Sequence, residues 1–204
     1  MIEEQLMPRG IKDEKVLAAF AKVPRHEFVS KDLQDSSYDD NPLPIGESQT
    51  ISQPFIVALM TQCLDLKNNE KVLEVGAGSG YQTAILAELA KEVYSVERIE
   101  SLAVSSVHTL ERLGYKNFKI VTGDGTLGWA EHAPYDGIIV TAGSPTVPES
   151  LVKQLKDGGR MVIPVGNGFM QVLTVVKKEG GIIKKEEICG CAFVPLIGEE
   201  GWRS

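Results

Sequence analysis

The feature that most limits what this chain can fold into is the run Lys71-Val72-Leu73-Glu74-Val75, followed at once by Gly76-Ala77-Gly78-Ser79-Gly80 and an apolar stretch to Lys91. A short apolar strand, three glycines at alternate positions and a helix start describe a ligand-binding corner. Open α/β sheets bind their ligands at the carboxyl ends of the strands. Glycine lets a ligand approach the backbone closely and permits turns that a Cβ forbids. The first amides of the helix then offer free N–H groups to polar or anionic atoms. An ordinary strand-to-helix turn uses the same residues, so the cluster needs support from elsewhere in the chain.

The rest of the pattern supplies an α/β frame. Strands are expected over residues 71–75, 93–97, 118–122, 137–141 and 161–165, separated by helices over 81–91, 99–113 and 148–156, the last closed by Gly158-Gly159. That alternation predicts a parallel sheet covered by helices on both faces. Residues 172–176 and 182–191 flank Glu179-Gly180-Gly181, a hairpin signal, so an antiparallel edge closes the sheet. Ahead of it lies a helical extension. Asp13 is placed to cap a helix from Glu14 that ends by Pro24, and a second helix begins near Ser52 with Pro54 in its first turn and runs to about Leu64. Residues 30–50, with Pro42, Pro44, Gly46 and many Asp and Ser, predict an irregular loop. The expected organisation is an extension over 1–65 and a nucleoside-binding α/β unit over 66–204, together one compact body.

Glu97 ends the second strand of this frame, 21 positions after Gly76. An acid about 20 residues beyond the first glycine is where a ribose diol finds its acceptor. The dinucleotide fingerprint spaces its glycines G-x-G-x-x-G, whereas here the third comes one residue early and Glu74 precedes the first. The pattern E-x-G-x-G-x-G resembles the first motif of S-adenosylmethionine-dependent methyltransferases. That resemblance implies a Rossmann-like doubly wound sheet and a cofactor held by Gly76, Ala77, Gly78, Gly80 and Glu97. Asp124 and Gly125, after the third strand, would then lie near the adenine; a simple turn is the other reading of that pair.

Further segments carry a narrower resemblance. Pro24-Arg25-His26-Glu27-Phe28-Val29, Pro42-Leu43-Pro44-Ile45-Gly46 and Gln49-Thr50-Ile51-Ser52-Gln53-Pro54 precede the glycine loop, and residues 135–143, 158–166 and Phe193-Val194-Pro195-Leu196 follow it. In this order they resemble the protein-L-isoaspartate O-methyltransferases over residues 10–197. The resemblance implies methyl transfer from S-adenosyl-L-methionine, leaving S-adenosyl-L-homocysteine, to the free α-carboxylate of L-isoaspartyl residues in damaged proteins and peptides. Ser52 matches the family's active-site serine, with Thr50, Ile51, Val194 and Leu196 beside the substrate. On spacing alone, Ser52 two positions before a proline reads as an N-cap, a role that can coexist with the one the resemblance implies. Ile197 and Trp202 lie where the match weakens and receive no role.

Composition trims the alternatives. A net charge of −7 over 204 residues leaves no basic footprint for nucleic acid. Lys177-Lys178 and Lys184-Lys185 sit beside Glu179 and Glu186-Glu187, as a solvated hairpin would arrange them. No stretch is apolar enough for a signal or membrane span, so a cytoplasmic chain without membrane contact is expected; the chain is also expected to be monomeric. Cys63, Cys189 and Cys191 lack metal-ligand or redox spacing and read as small buried hydrophobes, and no metal is expected. A methyltransferase with a small-molecule acceptor, a binding module without turnover and a nicotinamide enzyme are the competing readings.

Overall fold

The computed structural model describes residues 1–203 of the chain. Nine strands and five α-helices appear in chain order: α1 Glu14–Lys22, β1 Leu43–Gly46, β2 Gln49–Ile51, α2 Pro54–Leu64, β3 Lys71–Val75, α3 Tyr81–Leu89 and β4 Glu92–Glu97. They continue with α4 Glu100–Arg112, β5 Phe118–Thr122, β6 Tyr135–Val140, α5 Glu149–Gln154, β7 Leu155–Gly166, β8 Gln171–Glu179 and β9 Ile182–Cys191.

Seven of the strands form one sheet in the order β5-β4-β3-β6-β7-β8-β9. Pairings from β5 to β7 are parallel, and β8 and β9 add the antiparallel edge. The chain runs outward from β3 to β4 and β5, then returns to lay β6 on the other flank of β3. That reversal opens a crevice at the carboxyl end of β3, where open α/β sheets take their ligands. The fold is the Rossmann-like doubly wound sheet with an antiparallel edge expected from the sequence.

Both faces of the central strand are buried, which is why Val72, Leu73 and Val75 are apolar and why a buried Glu74 among them stands out. Val72 joins the core that contains Leu6, Phe20, Val57, Ile85 and Leu110, whereas Leu73 and Val75 join Tyr94, Tyr135, Ile138 and Leu151 on the opposite face. The first of these cores takes in residues from Leu6 to Val175, so the extension and the sheet share it. Tyr81 is the joint: it is buried at the start of α3, and Phe20 and Phe28 meet its ring edge-on at centroid distances of 6.0 and 5.5 Å.

Three local expectations are revised. Residues 43–51 form a hairpin, with Leu43 opposite Ile51 and a turn at Glu47 and Ser48, both at positive φ. Pro44 and Gly46, which suggested an irregular loop, sit on a two-stranded edge, where proline is tolerated, while Pro42 and the Asp- and Ser-rich stretch before it stay irregular. The helix expected over 148–156 stops at Gln154, because Leu155 already pairs with Tyr135 as β7 begins and the register then slips between Tyr135 and Gly137. Gly159 lies in that irregular stretch, where a Cβ would be 2.8 Å from the carbonyls of Asp136 and Lys156. Ser52 does not cap α2. Gln53 holds the N-cap position with no side-chain bond, and the Phe55 amide in the first turn is taken by Asp40 Oδ1 at 3.0 Å. A cap delivered from 15 residues upstream leaves no local pattern.

Asp13 caps α1 as expected, its Oδ1 accepting from the amides of Lys15 and Val16 at 2.9 and 3.3 Å. Asp13→Ala should lower stability by about 1 kcal/mol. Urea denaturation would show it as an earlier midpoint at unchanged slope; an unmoved midpoint would mean that the cap contributes nothing.

Candidate active site

The crevice at the switch point is a cleft lined by three groups of residues. One comes from the extension (Gln49 to Ser52), one from the strand ends (Val75 to Ser79, Glu97 to Ile99, Thr141 and Ala142) and one from the tail (Phe193 to Ile197).

Its floor is the glycine loop, and two contacts fix that loop. Thr141, just beyond β6, donates its amide to Val75 O at 3.0 Å and its hydroxyl to Gly76 O at 2.7 Å. A Cβ on Gly76, whose φ is +96°, would stand 2.4 Å from that hydroxyl oxygen, so the residue is glycine for both angle and room. Gly78 N donates to Glu97 Oε2 at 2.9 Å, while Ile99 N donates to Glu97 Oε1 at 2.9 Å. Glu97 is 6% exposed, and a carboxylate in so dry a place is stabilised by these two amides. Two of its roughly four acceptor directions are then used, leaving the others for a diol. The β1–β2 hairpin roofs the loop, with Ile45 Cδ1 3.3 Å from where a Gly78 side chain would begin. Its Glu47 accepts from the Ser101 hydroxyl of α4 at 2.9 Å.

The residues singled out from sequence converge here. Thr50, Ile51, Ser52, Gly76, Ala77, Gly78, Glu97, Gly125, Val194 and Leu196 all line the cleft. Gly80 and Asp124 do not. Gly80 sets the entry of α3 at φ +88°, packed near Ser106 and Leu110. The Asp124 carboxylate instead turns to the chain itself, with Oδ1 accepting from the amide and hydroxyl of Thr126 at 2.9 and 2.7 Å and Oδ2 from Glu199 N at 2.7 Å. These donors hold it below the ordinary carboxylate pKa despite partial burial.

The tail completes the wall. Gly143 N donates to Val194 O and Leu196 N to Gly143 O, both at 2.8 Å, and Trp202 Nε1 donates to the same Gly143 carbonyl at 3.0 Å. Trp202, without a role in the sequence, is the pin of that strap. Arg25 was also missed as anything beyond motif text: it is wholly buried and reaches the Ser52 carbonyl at 2.7 Å. Asp136 is engaged by Lys71 N and Lys156 Nζ, and His26 bonds the Tyr38 hydroxyl at 2.7 Å, so neither faces the cleft. The three thiols are free and half-buried, and burial raises the pKa of each. Among the described residues no group of three His, Cys, Asp or Glu could hold a metal ion, and no helix is long and apolar enough to cross a membrane.

Glu74 is the unusual charge. It shares the buried face of β3 with Val72, opposite Ser95 of β4, and accepts from Thr83 Oγ1 at 2.5 Å. Burial pushes its carboxyl up to about 7, against the hydroxyls of Thr83 and Ser95, which favour the charged form, and with a smaller push from Glu97.

The family model for protein-L-isoaspartate(D-aspartate) O-methyltransferase (PCMT) matches residues 1–201. A protein-L-isoaspartate O-methyltransferase of Petrotoga mobilis is 58% identical over 204 residues, covering 99% of this chain and 96% of that protein. One from Geobacter metallireducens is 56% identical over 203 residues, covering 99% and 94%. A solved protein-L-isoaspartate O-methyltransferase superposes with a TM-score of 0.89 at 32% identity, over 98% of this chain and 67% of that one. A beta-aspartate methyltransferase (PCMT) from Plasmodium falciparum, in complex with S-adenosyl-L-homocysteine, gives 0.83 at 28% identity over 96% of each.

The Glu74 carboxyl links stability to pH. The unfolded chain releases this proton near 4.5 and the folded chain holds it to about 7, so folding stability falls as pH rises through that window. The contribution amounts to about 3 kcal/mol. Glu74→Gln, which keeps the shape of the protonated form, should flatten this part of the stability profile. Identical slopes for both proteins between pH 4.5 and 7 would contradict the assignment.

Proposed function

The chain belongs to the protein-L-isoaspartate(D-aspartate) O-methyltransferase family, and from that membership we infer that its cleft is where L-isoaspartyl residues of damaged proteins are methylated at the free α-carboxylate. S-adenosyl-L-methionine is the methyl donor and S-adenosyl-L-homocysteine the product. The observation that carries the assignment of the site is the meeting of Ser52 with the Gly76–Ser79 corner in one cleft, from segments some 25 residues apart in sequence.

The residues present suit the cofactor. A floor of glycine backbone admits a nucleoside where side chains would not, Glu97 keeps free acceptor directions for a ribose diol, Val96 and Ile99 offer apolar surface, and Gly125 presents bare backbone at a point where Val75 leaves no room for a Cβ. We propose that Gly76, Ala77, Gly78, Glu97 and Gly125 hold it, that Gly80 shapes the loop, and that Asp124 acts by fixing the Gly125 turn to the tail. Residues 1–65 then form the substrate side and residues 66–204 the cofactor side of one unit. A chain carrying −7 suits polypeptide substrates better than nucleic acid, and we take it to work as a cytoplasmic monomer.

When bound, the cofactor supplies a methyl group on a positive sulfur, an electrophile strong enough to react with a carboxylate directly. In the proposed transfer a carboxylate oxygen would bond to the methyl carbon as the carbon–sulfur bond broke, which would leave a methyl ester and a neutral thioether. No proton changes hands, because an α-carboxylate is ionised at neutral pH. The protein's work is therefore alignment and exclusion of water, which is worth up to several kcal/mol. A neutral hydroxyl suits that work: Ser52 can turn the carboxylate by donating one hydrogen bond without quenching its lone pairs, as a cation there would. Thr50 and Ile51 from the hairpin, with Val194 and Leu196 from the tail, border the same space.

A synthetic peptide with one isoaspartyl residue should acquire a base-labile methyl ester that releases methanol, while its aspartyl counterpart should not. Equal labelling of both, or of neither, would sink the reading. Ser52→Ala should lower kcat roughly tenfold to a hundredfold with unchanged affinity for S-adenosyl-L-homocysteine. Glu97→Ala should weaken that affinity roughly tenfold to a hundredfold, as loss of hydrogen bonds to a charged group does. Calorimetric titration of both variants separates the two roles, and similar losses of affinity would contradict the division.

A further inference from the structure

Arg25 is the largest fully buried side chain among the described residues, and its contacts are an unusual set for a cation. Nε donates to Ser37 O at 2.6 Å and Nη2 donates to Ser52 O at 2.7 Å. The guanidinium stands 4.8 Å from the ring centre of Tyr81, which itself lines the cleft. The remaining nitrogen, Nη1, and the Tyr81 hydroxyl are both buried and without a hydrogen-bond partner.

Removing a cation from water costs several kcal/mol, and neutral packing of similar volume commonly stabilises a core as well or better. Two backbone carbonyls alone do not call for a full charge. What the guanidinium adds is a rigid planar fork, which holds two acceptors at one fixed angle while its face lies on an aromatic ring. The acceptors are well chosen. Ser37 belongs to the segment ahead of the hairpin, Ser52 follows the hairpin directly, and Tyr81 opens α3 just after the glycine loop. One side chain thus ties the approach to the hairpin, its exit and the floor of the cleft. The need for such a tie is local: Ser52 lies one position ahead of the α2 N-cap and is half-exposed, so neither helix nor sheet fixes the peptide from which its hydroxyl projects.

Granting that Ser52 meets the substrate carboxylate, we propose that Arg25 is its positioning residue: by gripping the Ser52 carbonyl against the Tyr81 ring, it sets the direction of the Ser52 hydroxyl in the cleft. Arg25 touches neither substrate nor cofactor in this role. Its influence passes through Ser52 and disappears when the Ser52 hydroxyl is gone. A buried cation acting by charge alone would instead draw the carboxylate in, and would be replaced without loss by lysine.

The test is a double-mutant cycle with Arg25→Lys and Ser52→Ala, assayed on an isoaspartyl peptide. Arg25→Lys keeps the charge but loses the fork, and should lower kcat about tenfold. The Kd of S-adenosyl-L-homocysteine, and that of the peptide in its presence, should stay within about twofold of wild type. Arg25→Lys together with Ser52→Ala should be no more than about twofold slower than Ser52→Ala alone. Multiplicative losses, or wild-type kcat in Arg25→Lys, would overturn the proposal. If lysine abolishes binding of S-adenosyl-L-homocysteine, Arg25→Gln, which retains a planar donor, goes through the same cycle. Loss of that binding in both variants would overturn the proposal in favour of a purely structural role. Wild-type enzyme on paired isoaspartyl and aspartyl peptides checks the functional reading independently, since its failure there would not depend on Arg25.

Discussion

The bond on which the cleft most depends is the one between the Gly78 amide and the Glu97 carboxylate. It joins the turn after β3 to the end of β4, two elements that the parallel sheet already sets side by side through the pairing of Val75 with Val96. Because Glu97 is almost dry, its charge is tolerable only with donors in place, and the loop can supply one only in the conformation that its glycines permit. The same residue that would hold the cofactor therefore shapes the floor on which the cofactor would lie. Thr141 completes this from the other flank, so β4 and β6, the neighbours created by the switch in strand order, both brace one turn.

Ahead of the sheet, the extension works by tertiary capping rather than by its own helices. Asp40 serves α2 from a distance, accepting from Phe55 N and from Gln53 Nε2, and it also pairs with Arg9. Arg25 gathers two carbonyls onto Tyr81, and Phe20 and Phe28 pack on the edges of that ring. These contacts converge on the two ends of the hairpin that roofs the glycine loop. A short two-stranded sheet is marginal alone. Here it persists because both of its flanks are tied to the core, which lets an exposed Thr50 and a buried Ile51 stand in successive positions at the cleft.

How much of this could be read from the chain depended on sequence separation. Strand β3, its glycines and Glu97 were legible because each obeys a local rule, apolar content, positive φ or a fixed spacing after the loop. The antiparallel edge was legible from Gly180-Gly181, both of which do take positive φ. Three things were hidden: the hairpin over residues 43–51, the short run of α5 and the cap of α2. The first shows a proline within its edge strand and a turn whose left-handed positions are Glu47 and Ser48 in place of the Asn-Gly or Asp-Gly that such a turn prefers; the others are decided by Tyr135 and Asp40, partners 20 and 15 positions distant. Ser52 illustrates the limit best. Local rules made it a helix cap, and a remote aspartate, by serving the first turn of α2, leaves its hydroxyl available to the cleft.

The tail carries the same logic to the end of the chain. Asp124 follows a strand at the position where an adenine contact was expected, yet its carboxylate is held by Thr126 and Glu199. Glu200 meanwhile accepts from the amide and hydroxyl of Ser150 at 2.9 and 2.6 Å, and Trp202 pins the Gly143 carbonyl. These bonds fasten residues 199–202 to the turns after β5 and β6 and to the start of α5, turning an open crevice into a walled one. Gly198 and Gly201 are needed for that path, since a Cβ on the first would be 2.1 Å from Asp124 Oδ1 and on the second 2.2 Å from Leu196 O. The wall is thus held by the chain's own carboxylates, an indole and two glycines, none of which lies in the Ser52 segment. Under the proposed reading, keeping water from the carboxylate would fall to this frame, and alignment would be left to Ser52 and the few side chains that the hairpin brings in.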